Sequence, residues 1–166
     1  MTLQTTNLQT KNLPTTTLPT NACANDRSRP RTILLVEDEP FVREATCGIL
    51  QHAGFRVLCT EGAQQALQVY GECQGGIDLA IDLVMTDMVL PGRSGQQLGQ
   101  DLRERSPEVV VLITSGYLNP EYDSEAPESR TYFLAKPYSR RTLLDKIEII
   151  LGAKTKTNTL ASTAAG

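Results

Sequence analysis

The chain has 166 residues, 40% of them hydrophobic and 21% charged, which suits one globular domain with a sizeable core and polar ends. No apolar run approaches the about 18 residues of a bilayer span, and the N-terminus lacks the basic start and apolar stretch of a secretory signal. The formal net charge of −3 hides an asymmetry, because residues 31–152 hold 11 Lys and Arg against 18 Asp and Glu, and an acidic domain without a basic stripe is not built for direct nucleic-acid binding.

Residues 2–21 repeat with a period of five, with Leu3, Leu8, Leu13 and Leu18 in register. That period fits neither helix nor strand, and four short copies with two prolines offer too little to stack a solenoid core. Residues 1–30 are therefore expected to be a disordered, low-complexity tail.

From Arg31 the pattern changes. Ile33-Leu34-Leu35-Val36 is a continuous apolar run, the mark of a strand buried on both faces. Pro40, tolerated in a first helical turn, opens a helix to about Ala53, with Val42, Ala45, Ile49 and Ala53 as its expected inner face. Phe55–Cys59 reads as a second strand, and Ala63, Ala66, Leu67, Tyr70 and Cys73 follow helical spacing up to Gly75-Gly76. Ile77-Asp78-Leu79-Ala80 is then nearly repeated by Ile81-Asp82-Leu83-Val84; the second copy is assigned to the third strand and the first to a linker.

The third strand runs through Leu83-Val84-Met85-Thr86 to a single carboxylate, Asp87, and the chain breaks at Pro91-Gly92. Ser94, with Gln97 three residues on, forms a capping box that opens the next helix, whose inward positions are Leu98 and Leu102 and whose end is Ser106-Pro107. Val109–Ile113 is the most β-like run of the chain. Asn119-Pro120 offers a short helix start, Tyr132–Ala135 a fifth strand, and Ser139 the cap of a final helix with Leu143, Leu144, Ile147, Ile150 and Leu151 on its apolar face. After Gly152, residues 153–166 read as a second disordered tail. Cys23, Cys47, Cys59 and Cys73 show no Cys-x-x-Cys pairing, and three lie in periodic apolar segments, so buried thiols in a reducing cytoplasm are expected. Five apolar strands, each followed by a helix over short connections, predict an α/β fold with a doubly wound parallel sheet.

In such a sheet, ligands bind at the carboxyl edge of the strands. Taken alone, Asp87 is a turn residue, Lys136 a solvated lysine, Thr114 a strand-end hydroxyl and Phe133 ordinary core. Together, the first strand ends in Glu37-Asp38, the third in Asp87, the fourth in Thr114-Ser115 and the fifth in Lys136-Pro137. If the first and third strands are neighbours, three carboxylates converge and repel unless a cation joins them. An all-oxygen set without His or Cys suits Mg²⁺. A carboxylate left partly free can act as a nucleophile toward phosphorus, with a hydroxyl and an ammonium to steady the phosphoryl oxygens.

At this point the chain resembles the receiver domain of response regulators. Leu34-Leu35-Val36-Glu37-Asp38-Glu39 is similar to its acidic-pair strand, and Asp87 to Gly95 matches its Asp-x-x-x-Pro-x-x-x-Gly loop. Leu112-Ile113-Thr114-Ser115-Gly116 and Phe133-Leu134-Ala135-Lys136-Pro137-Tyr138 match its threonine and lysine strands. The match covers roughly residues 31–152 with four motifs in order, most similar in style to the receivers of hybrid histidine kinases. The resemblance implies a flavodoxin-like (βα)5 domain of strand order 2-1-3-4-5, with Asp87 as phosphoacceptor. It implies Asp38 and Asp87 as direct Mg²⁺ ligands, Glu37 through water and the Val89 backbone carbonyl as a further ligand. Thr114 and Lys136 would hold the phosphoryl group, Phe133 would be the aromatic switch, and the Lys136–Pro137 bond would be cis.

The implied partners are a sensor histidine kinase or histidine phosphotransfer protein, and a downstream protein target met by a face of this chain that changes on phosphorylation. The chain itself is expected not to be an enzyme beyond its own Mg²⁺-dependent phosphorylation and dephosphorylation. His52, the one histidine, sits at a helix end without a phosphodonor pattern, so the phosphoryl group is expected from outside. Val89 and Gly116, two residues after Asp87 and Thr114, offer no side-chain hydrogen bond to a water, and slow hydrolysis is expected. With 14 residues after Gly152, a stand-alone relay protein without an output domain is expected. Two other functions stay open: a receiver-like interaction module that needs no phosphate, and an aspartyl-phosphate phosphatase of the haloacid-dehalogenase type. The latter wants a second Asp where Val89 stands. The cognate kinase, stimulus, target and oligomeric state are not readable from the residues.

Overall fold

A computed structural model of the chain describes residues 29–73, 80–116 and 130–161. The pentads, Cys23, most of the first Ile-Asp-Leu-Ala copy, the expected helix at Asn119-Pro120 and residues 162–166 lie outside the described residues. Five strands form the sheet: β1 (Thr32–Val36), β2 (Arg56–Thr60), β3 (Ile81–Asp87), β6 (Val111–Ser115) and β7 (Thr131–Ala135). Their order is β2-β1-β3-β6-β7, every pairing parallel. Numbered among themselves these are strands 2-1-3-4-5, the flavodoxin-like order that the resemblance implied. Helices α1 (Pro40–His52), α2 (Ala63–Cys73), α3 (Gly95–Arg105) and α4 (Arg140–Ala161) cover it.

The alternation of side chains along a strand divides one apolar run between two cores. Ile33 and Leu35 face Leu50 of α1 and Leu143, Ile147 and Ile150 of α4. Leu34 and Val36 face Ala66 and Tyr70 of α2 and Leu98 and Leu102 of α3. A strand sandwiched in this way must be apolar at every position, which is why β1 and β6 read as unbroken runs.

Several expectations need correction. In α1 the buried residues are Thr46 and Leu50, while Phe41, Val42, Ala45 and Ala53 are exposed. The apolar stripe on this helix is wide enough to admit two neighbouring faces, and the core that Leu50 shares with Ile33 and Leu35 of β1 and Leu143 of α4 selects the one carrying a threonine. Strand β6 begins two residues later than Val109, so Thr114 and Ser115 are still paired with β7. The Pro91-Gly92 break is a small hairpin, β4 (Val89–Leu90) against β5 (Arg93–Ser94). There Pro91 fixes one backbone torsion and Gly92, at φ 74, supplies the positive φ that a type II turn requires next. Finally, α4 passes through Gly152 to Ala161. Gly152 is not among the glycines of positive φ, so it does not cap the helix and only weakens it by about 1 kcal/mol. Among the described residues, no helix is long and apolar enough to cross a membrane.

Candidate functional site

The reactive side chains stand where strands end, and at each of them the main chain is tied to the neighbouring strand. The Glu37 N–H donates to the Thr60 carbonyl (3.1 Å), the Met88 N–H to the Thr114 carbonyl (2.8 Å) and the Lys136 N–H to the Ser115 carbonyl (2.7 Å). The parallel register sets Asp87 directly beside Thr114. The side chains are thus held on a fixed edge, not on free loops.

Glu37, Asp38 and Asp87 each offer an oxygen within 4.8 Å of the others. Glu37 is buried, Asp87 half-buried and Asp38 exposed. Lys136 bridges the two inner acids, with Nζ 2.9 Å from Asp87 Oδ2 and 3.1 Å from Glu37 Oε2. Burial alone would lower the pKa of this ammonium, but hydrogen bonds and charge from Asp87 and Glu37 outweigh it, and the net shift is upward. The Lys136–Pro137 peptide is cis. Asp87 Oδ1 is met by the Val89 N–H at a long 3.5 Å, so it is the less engaged carboxylate oxygen. Glu37 Oε1 accepts from the Glu39 N–H at 3.4 Å.

Behind Asp87 the packing is tight. Gly95 donates its N–H to the Met88 carbonyl at 2.9 Å, and a Cβ at this position would lie 2.3 Å from the Asp87 carbonyl oxygen. The glycine eight residues after the acid is therefore a steric necessity. Ser94 completes the capping box as read from sequence, with its hydroxyl accepting from Gln97 N and the Gln97 side chain accepting from Ser94 N. Thr114 is buried, and its hydroxyl donates to the Thr86 carbonyl at 3.3 Å. Phe133, half-buried beside Ile113 in the strand pairing, packs on the α2–α3 core. Val89 is 75% exposed at the rim, and a side chain at Gly116 would meet open space.

One contributor escaped the sequence reading. Arg43, in the second turn of α1, donates to the carbonyls of Glu37 (2.7 Å) and Asp38 (3.2 Å) and pairs with Glu61 after β2 (3.2 Å). It holds the acidic loop from behind. The available signal was an arginine a few residues after an acidic pair at the start of a helix, which by itself also reads as a solvated surface charge.

The donor set fits a hard divalent cation: three carboxylates converge from two strands, with no histidine or cysteine among them. A sheet of this order with acids, a hydroxyl and a lysine on its carboxyl edge defines a class of α/β signalling and ligand-binding domains. Residues 33–148 match the family model of the response regulator receiver domain, and the chain belongs to that family, the receivers of two-component systems. It is 32% identical over 129 residues to the sensor kinase CckA of Brucella abortus, covering 77% of this chain and 13% of that protein. The crystal structure of the receiver domain from the hybrid histidine kinase CckA is 31% identical with a TM-score of 0.60, covering 72% of this chain and 98% of that one. The response regulator TrrA of Thermotoga maritima, solved in complex with Mg(2+)-BeF, is 25% identical with a TM-score of 0.60 over 72% of this chain and 98% of that one.

Proposed function

We propose that this receiver accepts a phosphoryl group on Asp87 from a phosphohistidine of a partner kinase or phosphotransfer protein, and that the modification alters the face it presents to a downstream protein. The observation that carries the reading is the bridge of Lys136 between Asp87 and Glu37, at 2.9 and 3.1 Å, inside a cluster of three acids. The lysine holds one oxygen of Asp87 and leaves Oδ1 to attack. An O–P bond forms at Asp87, the N–P bond of the donor breaks, and its electron pair returns to the imidazole nitrogen. Asp38 and Asp87, with Glu37 and the Val89 carbonyl, would hold Mg²⁺, which when bound neutralises charge on the transferring phosphoryl group. Lys136 would stay with the phosphoryl oxygens. Thr114 would turn its hydroxyl from the Thr86 carbonyl toward them, opening space beside Phe133. The chain modifies only itself, in the cytoplasm, and turns over no separate substrate.

A phosphohistidine reaches Asp87 only on a protein that docks at this edge. An open apolar groove of about 610 Å³ adjoins the site, lined by Phe41, Val42, Ala45, Ile49, Pro137 and Tyr138 and sharing Lys136 with it. The residues that α1 leaves exposed thereby become a landing surface for the donor. The test uses Mg²⁺ and acetyl phosphate followed by intact mass. One phosphoryl group is expected on the native chain and none on Asp87→Ala. No added mass, or equal addition to both, would refute the reading and leave an interaction module that works without phosphate.

A further inference from the structure

We infer that Cys47 and Cys59 are an oxidisable thiol pair, a modification site that closes to an intramolecular disulfide by exchange with a small-molecule disulfide such as glutathione disulfide. Cys47 lies on α1, half-buried, and Cys59 lies exposed on β2 at the edge of the sheet. The Cys59 thiol donates to the Cys47 sulfur at 3.1 Å. The two sulfurs therefore need to approach by roughly 1 Å to reach bonding distance. Twelve residues of sequence separate them, which is why no Cys-x-x-Cys motif announces the pair. Cys73, buried on α2, has no such neighbour among the described cysteines.

The exchange balances without an outside electron acceptor other than the added disulfide. The two sulfurs face each other at 3.1 Å, so either can open the exchange. The thiolate of the first bonds to one sulfur of glutathione disulfide and releases one glutathione thiolate. The second thiol then gives up its proton, attacks the first protein sulfur in the mixed disulfide and releases the second glutathione thiolate. Two protein thiols are oxidised, one glutathione disulfide is reduced, and the two protons finish on two glutathione thiols. The product fastens α1 to the edge strand one helical turn beyond Arg43, the residue that holds the carbonyls of Glu37 and Asp38. Oxidation would thus grip the helix that supports the acidic loop.

The test uses the full chain with Cys23→Ser, so that this thiol cannot trap the mixed disulfide. The folded protein is treated with glutathione disulfide, alkylated after quenching, and mapped by mass spectrometry. The expected product lacks two hydrogens, joins the Cys47 and Cys59 peptides, leaves Cys73 reduced, and reverts with dithiothreitol. Cys59→Ser in the same background is expected to stop at a stable glutathione adduct on Cys47. The inference is overturned if the parent chain itself keeps a stable adduct at either cysteine, if both remain open to alkylation, or if the cross-link forms only in urea.

Discussion

At Lys136 one ammonium serves two carboxylates, and side-chain exposures of 5% for Glu37 and 20% for Asp87 put both in a setting where water compensates poorly for its loss. Lys136→Ala is expected to cost about 1–3 kcal/mol in urea unfolding and to slow phosphorylation by acetyl phosphate about 100-fold. Gly95 makes the opposite kind of demand, for absence of atoms. Gly95→Ala places a methyl group 2.3 Å from the Asp87 carbonyl, against backbone that cannot swing aside. It is expected to destabilise by about 1–3 kcal/mol and to lower the yield of phosphorylated chain; an unchanged urea midpoint would contradict the packing described. Asp87, Glu37, Asp38 and Lys136 were legible because a strand end followed by a loop is a pattern along the sequence. Arg43 was not, because its value lies in two carbonyls that only the fold brings beneath it.

Among elements, α1 separates what periodicity can and cannot say. The spacing of its apolar residues specified a helix, yet Val42-Ala45-Ile49 and Thr46-Leu50 are adjacent stripes, and propensity does not choose between them. The choice comes from the core beneath α1, in which Leu50 is fully buried with residues of β1, β3 and α4 while Val42 stands 36% exposed. Leu50→Ala is expected to cost about 2–5 kcal/mol, whereas Val42→Ala should stay within about 0.5 kcal/mol. Equal losses in chemical denaturation would mean the helix is rotated from this orientation. The β4–β5 hairpin was hidden for a different reason: two residues per strand are too few for alternation to register. The continuation of α4 past Gly152 was hidden because a glycine signals a stop only when its backbone turns left-handed.

For the whole molecule, three acids converge at one sheet edge, and Lys136 bridges two of them there. Its pKa is raised above 10.5 in the folded chain. The ion pair therefore contributes fully below that value, where the lysine is charged in both states, and is lost as pH rises through the higher folded value. From neutral pH up to about pH 10, thermal unfolding of the native chain and of Lys136→Met should differ by a constant interval, and the two should converge above it. A difference that instead widened with alkali would reverse the sign of the coupling. The doubly wound architecture was legible at this scale because strand-helix units with apolar strands leave few other ways to cover a sheet, whereas the strand order came only with the resemblance to receivers.

The bridge from Lys136 to Glu37 joins residues 99 apart in sequence, and that to Asp87 residues 49 apart. During synthesis the three acids emerge well before the base that reconciles them. A nascent chain released short of β7 carries the whole acidic cluster without the ammonium that bridges Glu37 and Asp87. The bridged edge is therefore completed late in synthesis, when Lys136 joins acids laid down 49 and 99 residues earlier.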